Sequence, residues 1–295
     1  MVDRKGLHLA ADVSLVGVTV VWGTTFVVVK LAVEAVDPLL FVALRFGLAG
    51  LVLAALRWSA LRRAPRATWV AGLWLGLLLL AGYGFQTFGL RETTPARGGF
   101  ITGLSVALVP LLDAALLRRR LGRGPTIGVL LSTLGLLALS APLDAADWSR
   151  GSWRGDLLVL GCAFAFAMHI VGVGHYAGRH DPGAITTVQV GVVGLLAGLG
   201  ALALGAAGPT DGGVWLAVAY MGPVATALVF FIQNWAQTHT TATHTALIFT
   251  LEPVFAALFS FALYGEQLGP RALAGGALIL AGVLAAELGP GPSSR

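Results

Sequence analysis

Long apolar runs separated by short polar connections dominate this chain. An α-helix crosses the apolar core of a bilayer with about 20 residues, and ten segments of roughly that length follow one another along the sequence. They are predicted at 12–30, 38–58, 67–90, 94–117, 124–141, 154–176, 182–206, 212–238, 241–264 and 270–289. Because most connections are short, consecutive helices must be antiparallel neighbours. The pattern predicts an all-α membrane protein with ten transmembrane helices.

The polar and small positions within these runs repeat along the chain. Thr93-Thr94 aligns with Thr240-Thr241, and with a small shift Asp37-Pro38 aligns with Asp181-Pro182. The same two registers pair Gly47 with Gly191, Gly50 with Gly194, Gly128 with Gly275 and Gly135 with Gly282. The repeat predicts two five-helix units, at residues 1–142 and 154–289. Because five is odd, the second unit must enter the membrane from the opposite side, as in transporters that alternate access around a midplane site.

Composition agrees with a membrane protein. Of the 295 residues, 57% are hydrophobic and only 11% are charged, whereas about a quarter of an ordinary globular domain is charged. The 40 glycines suit helices that pack closely in lipid. In the final span and in its counterpart at 128–135, such glycines could support either dimerisation or contact between the two repeats. A monomer and a homodimer both remain open.

The net charge of +5 indicates topology rather than nucleic-acid binding. The arginines cluster at the ends of apolar runs, as in "LRRRLGR" (117–123), and form no basic face interleaved with aromatic residues. If the N-terminus lies inside, the inner connections carry most of the Lys and Arg residues. The positive-inside rule then predicts that both termini are cytoplasmic.

Motifs for enzymatic chemistry or cofactors do not stand out. Cys162 is the only cysteine, so no intramolecular disulfide is possible and no cysteine-based metal site is expected. No phosphate-cradling loop or nucleophile motif occurs, which argues against an ATP-driven pump. "GRHDPG" (178–183) could serve an intramembrane lipid-modifying enzyme, but its alignment with Asp37-Pro38 favours a helix start. We therefore expect no enzyme activity, cofactor or metal.

Three stretches carry a family resemblance: "VWGTTFVVVKLA" (21–32), "DPLLFVALRF" (37–46) and "LIFTLEPVFAALFSFALYGEQLGPRALAGGALILAGVLA" (247–285). They resemble the drug/metabolite transporter superfamily, specifically its EamA-type exporters, and within these most of all the aromatic or broad amino-acid exporters of the YddG type. The resemblance implies a bacterial inner-membrane carrier that moves amino acids or other small metabolites outward. One departure is Arg119, which stands where the second repeat has Glu266 of the usual "GE" pair. Drugs, quaternary amines and nucleotide sugars are alternative cargoes, although no basic cluster within the spans favours phosphate.

Glu252 is the most conspicuous candidate for a functional residue. It lies near the middle of the ninth span, directly before Pro253, and aligns with Ser105 in the first repeat, which has no matching acid or proline. An intramembrane charge costs roughly 2.5–3.5 kcal/mol at a helix centre on insertion scales, so it should face the interior or a wet cavity. Glu252 could bind a substrate amine or carry a proton. Alternatively, it braces a helix bent at Pro253, which is assigned a structural or gating role.

Other polar and aromatic residues share helix faces in both repeats. Trp22 and Thr25 in the first span align with Phe166 and His169 in the sixth, and residues three apart lie on one face of a helix. Tyr83, Gln86 and Thr87 have helical spacing, and Phe230, Gln233 and Asn234 repeat it. The predicted substrate cavity comprises Trp22, Thr25, Tyr83, Gln86, Phe100, Phe166, His169, Gln233 and Glu252. Structural hydrogen bonding is the alternative for His169 and for the amides.

Arg45 lies within the second span and aligns with Gln189. It could bind a substrate carboxylate, but a scaffold role is favoured, because its long side chain could cap carbonyl groups or reach the headgroups. Taken together, the sequence predicts a secondary or facilitative exporter that works by alternating access. Its expected partners are a small-molecule substrate and the lipid bilayer.

Overall fold

The computed structural model describes residues 4–93, 95–117, 122–140, 152–264 and 269–288. This part of the chain forms fourteen α-helices and one π-helix. The α-helices are α1 (Arg4–Gly23), α2 (Thr25–Ala35), α3 (Pro38–Arg62), α4 (Arg66–Glu92), α5 (Pro95–Gly103), α6 (Ser105–Leu117), α7 (Arg123–Ser140), α8 (Trp153–Tyr176), α9 (Pro182–Ala203), α10 (Gly212–Met221), α11 (Val229–Ala236), α12 (Ala242–Phe249), α13 (Leu251–Tyr264) and α14 (Pro270–Leu288), and the π-helix spans Pro223–Leu228. Arg119, Glu266 and the boundary between the two predicted repeats lie outside the described residues.

Seven helical segments of the described chain are long and apolar enough to cross a membrane. They are Gly6–Gly23, Pro38–Arg62, Arg66–Glu92, Gly98–Leu117, Trp153–Tyr176, Pro182–Ala203 and Gly212–Ala236. Two shorter apolar helices cover Arg123–Ala138 and Leu273–Ala286. The protein is thus an all-helical membrane protein over this part of the chain. Fewer helices than the ten predicted reach the length of a span, partly because some predicted spans are interrupted.

Three of these interruptions share one geometry. The helices break at Thr24, Leu104 and Thr250, where the backbone N–H donates to the carbonyl three residues earlier, over 3.2, 3.1 and 3.1 Å. This is a single 3₁₀-type turn within an otherwise α-helical span. Leu104 aligns with Leu251, so the breaks in the fourth and ninth predicted spans fall within one residue of each other.

Pro253 does not explain the break at Thr250. The matching break at Leu104 occurs where Val106 aligns with Pro253. Pro253 is itself the third residue of α13, where a backbone N–H has no partner within the helix. A proline is therefore tolerated at this position, and the bend that the sequence attributed to it belongs to both halves of the chain.

Glycines bring α7 and α14 into backbone contact. A Cβ atom added at Gly128 would lie 2.7 Å from the carbonyl oxygen of Gly282, and one added at Gly135 would lie 2.7 Å from that of Gly275. The partner's number falls as the residue number rises, so the two helices are antiparallel. Of the two uses predicted for these glycines, the structure has the contact within the chain.

The crossing of α3 and α9 is built in the same way. A Cβ atom at Gly194 would lie 2.7 Å from the backbone nitrogen of Gly47, and one at Gly50 would lie 3.4 Å from the Cα atom of Gly191. Both helices begin with the Asp-Pro pair that the sequence predicted as a helix start. Asp37 accepts hydrogen bonds from the backbone of Leu39 and Leu40, and Asp181 accepts one from Ala184.

Candidate functional site

An aromatic cluster centred on Phe230 joins helices from both halves of the chain. The Phe230 ring centroid lies 5.9 Å from that of Trp22, 6.2 Å from that of Tyr83 and 5.9 Å from that of His169. Most of these rings meet edge to face, the arrangement that the quadrupoles of aromatic rings favour. Phe230 is 2% exposed and Tyr83 is 8% exposed, so the centre of the cluster is closely packed.

Further rings extend the cluster on two sides. Phe166 and Phe46 pack on Tyr83, with ring centroids 5.1 and 4.8 Å away, and Phe249 packs on Trp22 at 5.0 Å. Sequence reasoning did not assign Phe46 and Phe249 to the site, because neither aligns with an aromatic residue of the other half: Phe46 aligns with Val190 and Phe249 with Thr102. Phe230 was not assigned either, although its alignment with Tyr83 was a signal that could have identified it.

The π-helix offers a carbonyl oxygen to the cluster. The backbone oxygen of Ala225 accepts a hydrogen bond from the indole Nε1–H of Trp22 over 3.3 Å and another from Nη2 of Arg45 over 3.2 Å. Short π-helical segments inside α-helices are often found at functional sites. Pro223, the first residue of the π-helix, aligns with Gly76 in α4. α4 is a continuous α-helix there, so the π-helix is a feature of the second half alone.

Arg45 is held within the protein by neutral groups. Its Nε–H donates to the hydroxyl oxygen of Thr226 over 2.6 Å, and its guanidinium carbon lies 5.0 Å from the centroid of the Tyr83 ring. The Arg45 side chain is 3% exposed. A charge this deeply buried must be solvated by protein groups, and the Thr226 hydroxyl, the Ala225 carbonyl and the Tyr83 ring serve this purpose. The arrangement favours the scaffold role.

His169 and the nearby amides form two hydrogen-bonded links between helices. Nε2 of His169 lies 2.9 Å from Oε1 of Gln189, while the Gln189 amide nitrogen is buried and has no hydrogen-bond partner among the described residues. Nε2 of Gln233 donates to Gln237 over 3.3 Å, and Gln237 donates to the backbone oxygen of Ile170 over 2.9 Å. Oε1 of Gln233 is also buried, and no partner for it occurs in the part of the chain that the structure describes. The two links meet on α8 at adjacent residues, His169 and Ile170.

Glu252 lies in the first turn of α13 and is half-buried. Phe249, three residues before Glu252, packs on Trp22 with ring centroids 5.0 Å apart, so Glu252 lies at the start of the segment that follows the Trp22 side of the aromatic cluster. The break before it meets the break in α1, since a Cβ atom at Gly23 would lie 3.0 Å from the backbone nitrogen of Ala256. The interrupted helices therefore present Trp22 and Glu252 from neighbouring segments.

Not every predicted cavity residue joins this cluster. Trp22, Tyr83, Phe166 and His169 lie together in the cluster, and their role in a substrate cavity stays a prediction. The hydroxyl of Thr25 donates to the backbone oxygen of Trp22 over 2.9 Å. Gln86 and Phe100 are half-buried, but no ring contact or hydrogen bond among the described residues joins them to the cluster. Among the residues that the structure describes, no three His, Cys, Asp or Glu side chains are grouped closely enough to hold a metal ion.

Comparison with known proteins gives consistent matches over the length of the chain. The model of the EamA-like transporter family matches residues 9–141 and 153–286. An "Uncharacterized transporter" of Archaeoglobus fulgidus is 32% identical over 281 residues, which covers 95% of this chain and 87% of that relative. The "Uncharacterized inner membrane transporter YedA" of Escherichia coli strain K12 is 28% identical over 285 residues, covering 92% and 89%. One solved crystal structure has the same fold, with a TM-score of 0.79 at 22% identity, and the match covers 95% of this chain and 96% of that one.

Proposed function

We propose that this chain, which belongs to the EamA-like transporter family, exports amino acids or related small metabolites across a bacterial inner membrane by alternating access. Membership of the family makes it a multi-pass membrane transporter of small molecules. The observation that carries the finer proposal is the aromatic cluster around Phe230, to which both halves of the chain contribute. The proposed location is the inner membrane, with both termini cytoplasmic.

The glycine crossings support ten spans arranged as two inverted repeats. In the alignment of the two halves, Gly128 corresponds to Gly275 and Gly135 corresponds to Gly282. Replacing each glycine by its aligned counterpart therefore turns the contact of Gly128 with Gly282 into the contact of Gly275 with Gly135, which also occurs. The crossing of α3 and α9 has the same reciprocity. A twofold axis makes each contact occur twice in this reciprocal way. Because the contacting helices are antiparallel, the axis must lie in the membrane plane.

The chemistry of the site suits a zwitterion with an apolar or aromatic side chain. Glu252 supplies a carboxylate for an amine, and the rings of Trp22, Phe166 and Phe230 supply apolar and π-faces that also favour a cation. The open hydrogen-bonding atoms of Gln189 and Gln233 offer a donor and an acceptor to polar parts of the substrate. Arg45 and Pro253 belong to the supporting structure in this proposal.

Transport by purified protein in liposomes tests the proposal. We expect faster entry of labelled amino acids than into protein-free liposomes, measured with and without a pH gradient. Glu252→Gln keeps the shape of the side chain and removes its charge. It should slow amine-dependent uptake by at least about tenfold, because a hydrogen bond to a charged group contributes about 1.5–3 kcal/mol. Ser105→Ala, the aligned position in the first half, is the matched control and should transport normally.

Other cargo carried by the same fold is the competing possibility. A quaternary amine would use Glu252 and the rings without needing the amides of Gln189 and Gln233. If labelled quaternary amines enter the liposomes and amino acids do not, the amino-acid proposal is wrong, although the site is retained. Normal transport by both Glu252→Gln and His169→Ala would show instead that the substrate binds elsewhere.

A further inference from the structure

We propose that Asp12 and Asp156 are equivalent gating residues, each of which holds one end of the protein closed. This proposal depends on the proposed alternating-access function. It concerns which residues open each side of the membrane, and it does not depend on the identity of the cargo. We call the side of the membrane on which α1 begins the N side, and the other the far side.

On the N side, Asp12 joins the first half of the chain to the second. Its Oδ1 lies 3.1 Å from Nε2 of His244. Asp12 belongs to α1, whereas His244 is the third residue of α12. The side chains of His244 and Asp12 are 16% and 22% exposed, so the pair lies at the edge of the packed interior. We call these two residues the N-side pair.

On the far side, Asp156 makes the converse connection. The hydroxyl of Thr93, at the end of α4, donates to Oδ1 of Asp156 in the first turn of α8 over 2.9 Å. The backbone N–H of Ser152 adds a hydrogen bond to the carbonyl oxygen of Glu92 over 2.9 Å, and the Ser152 hydroxyl lies 3.1 Å from the Glu92 carboxylate. Thr93 and Asp156 are the far-side pair.

The internal repeat makes the two aspartates counterparts and places their partners within four residues of matching positions. The register that aligns Thr25 with His169 also aligns Asp12 with Asp156, and the register of the Thr-Thr pairs aligns Thr93 with Thr240. Thr240 lies four residues before His244, in the connection that leads into α12. Each aspartate therefore reaches from the first span of its own half to the junction of the third and fourth spans of the other half, at opposite sides of the membrane.

Alternating access gives this arrangement a consequence. The central site opens to one side when the two halves separate there, so an opening on the N side must break the N-side pair, and an opening on the far side must break the far-side pair. Both pairs are formed in this structure. Each aspartate stabilises only the state in which its own end is closed. Its loss therefore shifts the equilibrium toward the state that is open at that end.

Accessibility of cysteines from each side tests the proposal without any substrate. Cys162 is the only native cysteine, so Cys162→Ala provides a background free of thiols. Leu15→Cys and Val159→Cys serve as reporters, since both residues are 0% exposed, and each lies one helical turn beyond the aspartate of its pair. Membrane-impermeant maleimide would be applied to intact cells and to inverted vesicles, so that each reporter is labelled from each side.

We expect opposite changes in the two reporters. Asp156→Ala should raise labelling of Val159→Cys about tenfold and lower that of Leu15→Cys, since a hydrogen bond to a carboxylate is lost from a half-buried position. Asp12→Ala should do the reverse, to a similar extent, because its contact with His244 is also half-buried. Asp211→Ala is the control: this aspartate caps its own helix α10 and should change neither rate.

The outcomes separate the possible errors. If a variant raises labelling only at its own end, the aspartate merely stabilises the local helix, and the gating proposal is wrong. Unchanged labelling in both variants would overturn it as well. Opposite changes in a protein that transports no amino acid would support the gating residues and refute the amino-acid proposal.

Discussion

The hydrogen bond between Arg45 and Thr226 provides the sharpest test of how the π-helix is held. Thr226→Val keeps the volume of the side chain and removes the oxygen that accepts from Nε of Arg45 over 2.6 Å. Thr226 is 0% exposed, so water cannot replace the lost acceptor. Arg45→Met removes the charge and leaves a long apolar side chain. The two changes and their combination form a double-mutant cycle.

The expected coupling energy lies between two known limits. Hydrogen bonds between helices in membranes average about 0.6 kcal/mol, whereas those to charged groups contribute about 1.5–3 kcal/mol. We therefore expect a coupling of about 1–2 kcal/mol. In the Arg45→Met background, Thr226→Val should change the free energy of unfolding little, because no buried guanidinium is then left without its acceptor.

The free energy of unfolding can be measured in mixed micelles, as the fraction of denaturing detergent is increased and helix content is followed by circular dichroism. Thr187→Val is the control, since this buried hydroxyl donates to the backbone oxygen of Gly183 over 2.7 Å near the other end of α3. Its effect should be the same with and without Arg45. A coupling below about 0.3 kcal/mol, within the error of additivity, would refute the view that Thr226 solvates Arg45.

Three further predictions concern the helix crossings, the helix break and a connecting loop. Gly135→Leu should lower the free energy of unfolding by about 1–3 kcal/mol, since its Cβ atom would lie 2.7 Å from the Gly275 carbonyl oxygen. Gly17→Leu is the control and should be tolerated, because nothing lies within 4 Å of a Cβ atom there. Equal effects of the two changes on unfolding in micelles would argue against a tight crossing. Pro253→Ala should change the free energy of unfolding by less than about 1 kcal/mol and leave uptake into liposomes intact, because the break does not depend on the proline; a large loss would contradict this. Burial, and then the charge of Arg179, lower the pKa of His180 below 6.5, so the folded protein disfavours the protonated ring and the free energy of unfolding should fall as the pH drops below 6.5. NMR titration should show that Arg179→Ala raises the pKa of His180, and an unchanged pKa would exclude that charge as a cause.

The sequence predicted the helical segments better than their interruptions. Hydropathy marks where apolar runs begin and end, and Asp37-Pro38 and Asp181-Pro182 mark helix starts by their own chemistry. The breaks at Thr24 and Thr250 each change a single turn. A change this small is decided by tertiary contacts such as that between Gly23 and Ala256, which no local pattern records.

The site was predictable as far as faces of single helices could be aligned. Trp22 and Phe166 occupy matching positions in the two halves, and both reach the aromatic cluster. Gln86 shares a face with Tyr83 by spacing, yet within the described ranges no hydrogen bond or ring contact joins it to the cluster. Helical spacing fixes which residues point the same way, but not how far along the helix a neighbour lies. The Ala225 carbonyl could not be predicted, since it depends on the register of a π-helix.

The reciprocal glycine crossings have a consequence for how such a chain can change over time. If the two halves descend from one ancestral unit that paired with itself, the contact of Gly128 with Gly282 and that of Gly135 with Gly275 were once a single contact present twice. One mutation would then have altered both copies together. Fusion into one chain made each copy independently heritable, so that Asp12 can pair with His244 at one end while Asp156 pairs with Thr93 at the other. The asymmetry of Glu252 and of the π-helix is open to selection for the same reason.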